Sequence, residues 1–183
     1  MAIRKIARMG HPVLRRVAAA IDDPSAPEIA ALARDMIETM KDANGAGLAA
    51  PQVYEPVRLV MFEAPAARAG SDDPLESCPF TILVNPEIEI LGPEMAVDWE
   101  GCLSVPGLRG LVPRHTHIFY RGLDLQGRTV AREAVGFHAR VVAHECDHLD
   151  GVLYPQRMRD LKDLVFETEW RHHLPQRESV PND

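Results

Sequence analysis

Cysteine is scarce in this chain, which has three among its 183 residues: Cys78, Cys102 and Cys146. An odd and small number does not build a disulfide framework, so the class of small secreted proteins that depend on disulfides is excluded. The chain also has no run of about 18 apolar residues, and we expect no membrane-spanning helix. Its first residues lack the apolar core of a secretory signal. These absences predict a cytoplasmic protein in a reducing environment, without a membrane partner.

A basic excess is missing as well. Lys and Arg number 20 against 27 Asp and Glu, which gives a formal net charge of −7. General nucleic-acid binders have a basic excess, so we expect no DNA partner. The apolar share of 46% and the charged share of 26% are ordinary for a globular protein and exclude a disordered or fibrous chain. The length corresponds to about one domain, and we expect residues 1–183 to form a single domain with a frayed tail at 175–183.

The hydrophobic pattern predicts an α+β fold, because strands are grouped in the middle with helices before and after them. Apolar residues at helical spacing predict a helix over Ser25–Ala43, whose first residues, Ser25-Ala26-Pro27-Glu28, fit a capping box. Two more helices are predicted at Phe137–Leu149 and Met158–His172. Prolines and turn formers make 64–79 a loop. The candidate strands, of which the last two form a hairpin, are Val57–Phe62, Phe80–Val84, Glu87–Leu91, Met95–Trp99, His117–Leu125 and Arg128–Val135.

The second predicted helix carries an H-E-x-x-H motif, formed by His144, Glu145 and His148. Residues i and i+4 of a helix lie on one face about one turn apart, so both histidines can bind one metal ion. Glu145 lies about 100° around the helix, near enough to take a proton from a metal-bound water. Val141 and Val142 give this helix a buried face. A chance match is therefore disfavoured, because burying histidines and acids on such a helix costs free energy unless they have partners.

A catalytic site of this type has three protein ligands and one open position, and the third ligand has two kinds of candidate. The metzincin continuation of the motif is excluded, because Tyr154 stands where its third histidine would be. Glu167 or Glu169 could be the third ligand of a zinc endopeptidase site. Their charge-rich segment, however, is typical of a solvated helix face. Cys102 is the other candidate, because it lies in a turn after a strand and would bind as a thiolate.

The remaining cysteines and histidines are expected to have no part in the site. Cys146 lies on another side of the motif helix and is predicted to pack in the core, and Cys78 is a bystander in the loop. The histidines expected at the surface or in hydrogen bonds are His11, His115, His117, His138, His172 and His173.

Three segments together resemble the signature motifs of peptide deformylases: Gly45–Gln52, Glu100–Ser104 and His144–Gly151. They occur in that family's order and are joined by matching stretches at Val112-Pro113-Arg114 and Gly122-Leu123-Asp124. The first segment consists almost entirely of small residues, which let another group approach the backbone closely. The resemblance extends from about Pro12 to about Leu161, which is most of the chain.

The resemblance implies short antiparallel sheets packed around a central helix that carries the H-E-x-x-H motif, with an N-terminal and a C-terminal helix. It implies an enzyme that removes the formyl group from the N-terminal formylmethionine of newly made polypeptides and releases formate. Cys102, His144 and His148 would hold one divalent metal ion per chain. Fe(II) is the expected ion, and Zn, Ni or Co can substitute, because thiolate and imidazole accept all of them.

The same resemblance assigns roles in catalysis. Glu145 would deprotonate a metal-bound water that attacks the formyl carbon, and would then return the proton to the leaving amine. The metal, the Gln52 amide and the Leu103 N–H would stabilise the oxyanion. Gly47 would offer its main-chain groups to the peptide substrate, and a pocket for the methionine side chain would be lined by Ala46, Leu103, Val141 and His144.

The resemblance also suggests supporting residues and partners. Asp147 and Arg114 would orient the ligands. The partners would be formylmethionyl nascent chains. In some relatives a basic C-terminal helix docks on the ribosome. Here Arg157, Arg159 and Lys162 are interspersed with acidic residues, which limits the expectation to a transient contact.

Overall fold

The computed structural model describes residues 2–70 and 73–173 and has an α+β architecture of two antiparallel sheets and few helices. The predicted tail at 175–183 lies outside the described residues. The helices are α1 (Pro27–Asp42), α2 (Gly136–Leu149) and α3 (Glu167–His173). The strands are β1 (Gly47–Ala49), β2 (Leu59–Ala64), β3 (Cys78–Ile90), β4 (Met95–Cys102), β5 (Val105–His115), β6 (His117–Leu123), β7 (Thr129–Val135) and β8 (Val165–Phe166).

The larger sheet has the strand order β1-β2-β3-β6-β7 and is covered on both faces. Alternate residues of β2 point to opposite sides, as the period of two requires. Val60 and Phe62 belong to the core that contains Val142 of α2, whereas Leu59 and Met61 belong to the core on the α1 side. This double burial fixes the position of α2 relative to β2 and to β1, which is part of the small-residue segment Gly45–Gln52.

Helix α1 confirms the first predicted helix, but its start differs from the prediction. The helix begins at Pro27, and its N-cap is Ala26, which has no side-chain acceptor. The predicted capping box is wrong because the Ser25 hydroxyl donates to Asp23 Oδ1 instead, at 2.6 Å. The helix ends before Asn44, whose φ of 52° lies in the left-handed region.

Strand β3 joins two strands that the sequence pattern separates. The register shifts between Val84 and Glu87, where Asn85 has a φ of 50°. The Asn85 side chain bonds both the N–H and the C=O of Ile21, at 2.9 Å each, so this irregularity is held by another segment. The predicted hairpin of β6 and β7 is confirmed.

The smaller sheet, in the order β4-β5-β8, contains a strand that the sequence pattern does not indicate. Strand β5 includes Pro106, Gly107, Gly110 and Pro113, which conceal the alternation expected of a strand. Only two residues separate β4 from β5. This tight hairpin places Cys102 at its tip.

The long C-terminal helix predicted over Met158–His172 is wrong. Its first part forms a 3-10 turn, Leu161–Asp163, capped by the Asp160 carboxylate, and β8 then pairs with β5. Only α3 is helical. Tertiary pairing of Val165 with Arg109 overrides the helical spacing of the apolar residues.

The segment 64–79, predicted as a loop, contains two short 3-10 turns at Ala66–Arg68 and Pro74–Glu76 among its described residues. It is tied to α2, because His138 is hydrogen-bonded through Nδ1 to the Leu75 carbonyl, at 2.9 Å, and through Nε2 to the Tyr120 hydroxyl, at 3.0 Å. No helix among residues 2–70 and 73–173 combines the length and the apolar character needed to cross a bilayer.

Candidate metal centre and cleft

Helix α2 and the β4–β5 hairpin bring three donor side chains together. His144 and His148 lie one turn apart on α2, and Cys102 faces them from the hairpin. One donor atom of each residue lies within 4.8 Å of the others, and Cys102 Sγ is 3.3 Å from His148 Nε2. These are the three residues that the sequence resemblance assigns as metal ligands.

Glu100 orients one of the two imidazoles. Its Oε2 lies 2.8 Å from His144 Nδ1, which leaves Nε2 of that ring for other partners. Burial opposes ionisation of Glu100, but hydrogen bonds from His144 and Arg114 outweigh burial and hold the pKa of this carboxyl well below its usual range. A carboxylate behind a histidine is the usual way in which a metal-binding imidazole is fixed.

Two arginines complete the surroundings of Glu100. Arg114 donates to both carboxylate oxygens, at 2.9 and 3.0 Å, and Arg140 Nη1 donates to Oε1 at 2.7 Å. Arg114 also pairs with Asp147, which in turn accepts from Arg157 at 2.7 Å. The buried pairs that Arg114 and Arg140 form connect β4, β5 and α2, the three elements that carry or flank the donor residues.

The imidazoles differ in their preferred charge. Burial lowers the pKa of His148 well below its usual value, so this ring stays neutral. Burial acts in the same direction on His144, but hydrogen bonds to Cys102 and Glu100 outweigh it and raise the pKa of His144. Cys102 and Glu100 therefore favour a positive charge at the His144 ring. Thiolate with imidazole is a donor set suited to first-row transition metals.

Glu145 lies on α2 beside the donor residues and is almost fully buried, with 5% of its surface exposed. Its Oε2 accepts no hydrogen bond from any residue that the structure describes. Burial raises the pKa of Glu145 to about 7, against a smaller opposing effect of His144. A buried carboxylate oxygen without a partner is costly, so its presence calls for a functional explanation.

Gly47 packs directly against Glu145. A Cβ atom at this position would lie 2.3 Å from Glu145 Oε1 and 2.8 Å from its Cγ. The absent side chain thus makes room for the carboxylate, which gives the small residue at this position a structural reason in addition to the predicted contact with a peptide.

We expect Gly47→Ala to displace the Glu145 carboxylate and to lower kcat by about 100-fold, because a shift of about 1 Å has such an effect on a reacting group. The measurement is kcat for the reaction proposed below. Gly92→Ala is a matched control, since its Cβ would meet Glu94 Oε2 at 2.5 Å. Glu94 is exposed and can move away. Unchanged kcat in Gly47→Ala would contradict the assigned packing.

Gln52 is buried beside Cys102 and has a fixed amide. Its Oε1 accepts from the Ala49 N–H at 2.8 Å. Its Nε2 lies 3.1 Å from Ser104 Oγ and 3.5 Å from Cys102 Sγ. The side-chain N–H groups of Gln52 are therefore directed toward the donor residues, next to Leu103 in the hairpin turn.

A cleft of about 570 Å³ opens beside these residues. The predicted pocket residues Ala46, Leu103, Val141 and His144 all line it, together with Phe137. Gly47, Gln52, Cys102 and Glu145 line it too. His148 is instead enclosed, with 1% of its surface exposed.

The alternative third ligands lie elsewhere. Glu167 pairs with Arg109 and Arg171, at 3.3 and 2.8 Å. Neither Glu167 nor Glu169 belongs to the donor cluster found among the described residues. Cys146 and Cys78 are buried in the core, and burial raises the pKa of both thiols.

Three residues of the site have no role predicted from the sequence: Glu100, Ser104 and Arg140. Glu100 stands two positions before Cys102 on β4, and alternation along a strand directs such a residue to the same side as the cysteine. Ser104 lies in the turn after Cys102, where this alternation does not apply. That spacing is a usable signal for Glu100. Arg140 has none, because its long side chain reaches carbonyl groups of Ala96 and Val112 that are distant in sequence.

An α+β chain in which an H-E-x-x-H helix faces a cysteine beside a cleft has the features of a metal-dependent hydrolase. Comparison with known proteins identifies the family. The sequence model of the polypeptide deformylases matches residues 3–164. The chain belongs to the polypeptide deformylase family, and it is an enzyme of that family.

Individual relatives agree with this assignment. Peptide deformylase 1 of Bordetella pertussis is 56% identical over 164 residues, which cover 90% of this chain and 92% of the relative. Peptide deformylase 1 of Nitrosomonas europaea is 49% identical with the same coverage. A crystal structure of class I type b peptide deformylase from Acinetobacter baumannii with Met-Ala-Ser bound has a TM-score of 0.77 at 38% identity, covering 86% of this chain and 99% of that chain.

Proposed function

We propose that this enzyme removes the N-formyl group from the N-terminal formylmethionine of newly made polypeptides and releases formate. The observation that carries the proposal is the unpartnered, buried Oε2 of Glu145 beside the donor set of Cys102, His144 and His148. Met-Ala-Ser, bound in the Acinetobacter structure, is the peptide that remains when formyl-Met-Ala-Ser loses its formyl group. The product of the proposed reaction thus binds a relative.

Cys102, His144 and His148 would hold one divalent metal ion per chain. Their thiolate and imidazole donors suit Fe(II), and Zn, Ni or Co can take its place. The ion would supply Lewis acidity, which lowers the pKa of a water toward about 7 and polarises a carbonyl oxygen. Glu100 would keep His144 in the tautomer whose Nε2 lone pair is free.

The cleft would orient the substrate. The methionine side chain would enter the apolar region lined by Ala46, Leu103, Val141 and the His144 ring. Gly47 would present its main chain to the peptide, and its lack of a side chain would keep Glu145 in place. Binding the first residue in this way brings the formyl carbon to the donor residues.

Glu145 would move the protons. Its Oε2 would accept a proton from the attacking water and would give it to the nitrogen of the leaving amine, so that one carboxylate acts as base and then as acid. Gln52 Nε2 and the Leu103 N–H would donate to the oxyanion that develops on the formyl oxygen. Preorganised donors of this kind contribute about 3 kcal/mol each.

The substrates would be nascent chains, and a transient ribosome contact stays a prediction. Cys102 must remain reduced to act as a ligand, so the proposal requires a reducing compartment.

Formate release tests the proposed function. We expect the protein, kept anaerobic with Fe(II) or reconstituted with Ni, to release formate from formyl-Met-Ala-Ser and to leave acetyl-Met-Ala-Ser intact. Mass spectrometry of an unformylated decapeptide serves as a control for endopeptidase activity, and we expect no internal cleavage. No formate from a metal-replete sample would refute the proposal.

A further inference from the structure

The C-terminal segment contributes to the cleft although it lies beyond the family match. That match ends at residue 164, yet Glu167 and Arg171 line the cleft. The segment is anchored because β8 pairs with β5, with Arg109 opposite Val165. We call four charged side chains that line the cleft the cleft rim, namely Arg68, Arg109, Glu167 and Arg171.

Arg109 is held in a fixed position in the cleft rim. Its guanidinium lies 4.7 Å from the centre of the Trp170 ring, and its Nη2 is 3.3 Å from Glu167 Oε1. Trp170 is itself packed edge-on against Trp99, with ring centres 6.1 Å apart. The buried Nε of Arg109 donates to no residue that the structure describes. A stacked and oriented guanidinium in the wall of a cleft is well suited to binding a carboxylate.

The cleft rim has an excess of positive charge. It contains three arginines and one carboxylate, and Arg109 and Arg171 share that carboxylate. Arg68 forms no ion pair within residues 2–70 and 73–173. Deeper in the cleft, Glu100 is neutralised by its own arginines. A local cationic surface is notable in a chain whose net charge is −7, because it attracts acidic groups that the rest of the surface repels.

The cleft rim lies close to the donor residues. Arg109 is the cross-strand neighbour of Gly101, the residue before Cys102. Neighbouring strands are about 4.8 Å apart, and an extended peptide advances about 3.4 Å per residue. A peptide whose first residue lies at Cys102 therefore reaches the cleft rim with its second or third residue.

We infer that the cleft rim makes this enzyme selective for formyl peptides with an acidic side chain at the second or third position. The inference rests on the proposed function, because it places the first residue at the donor cluster. Arg68, Arg109 and Arg171 bind the carboxylate, and Glu167 limits the strength of that binding by competing for two of the arginines.

Peptide pairs that differ only in charge test this selectivity. The substrates are formyl-Met-Ala-Asp-amide and formyl-Met-Ala-Asn-amide, with the corresponding pair at the second position, formyl-Met-Asp-Ser-amide and formyl-Met-Asn-Ser-amide. We expect kcat/KM for the Asp peptide of at least one pair to exceed that of its Asn partner about three-fold at low salt, as for exposed ion pairs. The difference should arise in KM and should shrink at high ionic strength.

Substitutions in the cleft rim distinguish the effect of its own charges from the effect of the protein's net charge. Arg68→Gln and Arg171→Gln each lower the Asp/Asn ratio, whereas Glu167→Gln raises it. Changes in opposite directions cannot come from loss of folding, which circular dichroism checks independently. Arg121→Gln is the matched control, because Arg121 is an exposed arginine paired with Glu87 outside the cleft. It changes the net charge equally and leaves the ratio unchanged.

A binding measurement makes the result independent of turnover. Calorimetric titration with Met-Ala-Asp-amide and Met-Ala-Asn-amide, and with the second-position pair, gives the same ratio as Kd values. An Asp/Asn ratio of one for every pair in the wild-type protein, or a ratio that Arg121→Gln changes as much as Arg171→Gln, overturns the inference. If formyl-Met-Ala-Asn-amide is not hydrolysed, the proposed function fails, and the Kd ratios alone decide on the cleft rim.

Discussion

Glu145→Gln is expected to retain the metal and to lower kcat for formate release by roughly 10²–10⁴-fold, the range for removal of a general base. Glutamine has nearly the same shape, so the packing against Gly47 is preserved. It has no basic oxygen, however, and the only candidate for the proton-accepting atom in our proposal is the unpartnered Oε2 of Glu145.

Metal content and turnover must be measured on the same samples of Glu145→Gln. Inductively coupled plasma mass spectrometry gives the metal stoichiometry, and a coupled formate assay gives kcat. Glu87→Gln is a suitable control, since it removes a carboxylate from an exposed ion pair and should leave both values unchanged. Turnover equal to that of the wild type would remove Glu145 as the base.

Cys102→Ala is the second substitution with a large expected effect. We expect it to lose the bound metal and at least 10³-fold of the activity, because two imidazoles alone leave the ion with too few protein ligands. Ser104 and Gln52 also lose the sulfur atom that they contact, at 3.4 and 3.5 Å.

The reciprocal substitution distinguishes the two kinds of third ligand. Glu167→Gln should retain metal at the normal stoichiometry, because its carboxylate is engaged with Arg109 and Arg171. With cobalt as the ion, a thiolate ligand gives a sulfur-to-metal charge-transfer band that Cys102→Ala abolishes and Glu167→Gln preserves. Metal retained without Cys102 would instead favour the endopeptidase type of site.

The grouping of the donor residues was accessible from the sequence. The spacing of His144 and His148 fixes them on one helical face, and the structure places them there with Cys102 nearby. The residues alone left two kinds of third ligand, Cys102 and either Glu167 or Glu169. Geometry narrows that choice, because β4 and β5 form a hairpin whose tip points at α2, and such a contact depends on chain segments about 40 residues apart.

Other features could not be predicted because they depend on partners distant in sequence. Strand β5 is stabilised by pairing with β4 and β8, although its own prolines and glycines argue against a strand. The predicted helix after Met158 is shorter because Val165 pairs with Arg109. The need for glycine at position 47 comes from its packing against Glu145, which is almost 100 residues away in the sequence.

The buried pairs around Glu100 have a consequence for how the enzyme acquires its ion. Arg114 and Arg140 tie β4 to β5 and α2 through protein groups alone. We therefore expect the donor residues to be held in place without a cation, unlike those of domains that fold only on binding metal. We expect one ion to replace another without refolding, so that cellular supply and not the protein decides which metal an individual molecule carries.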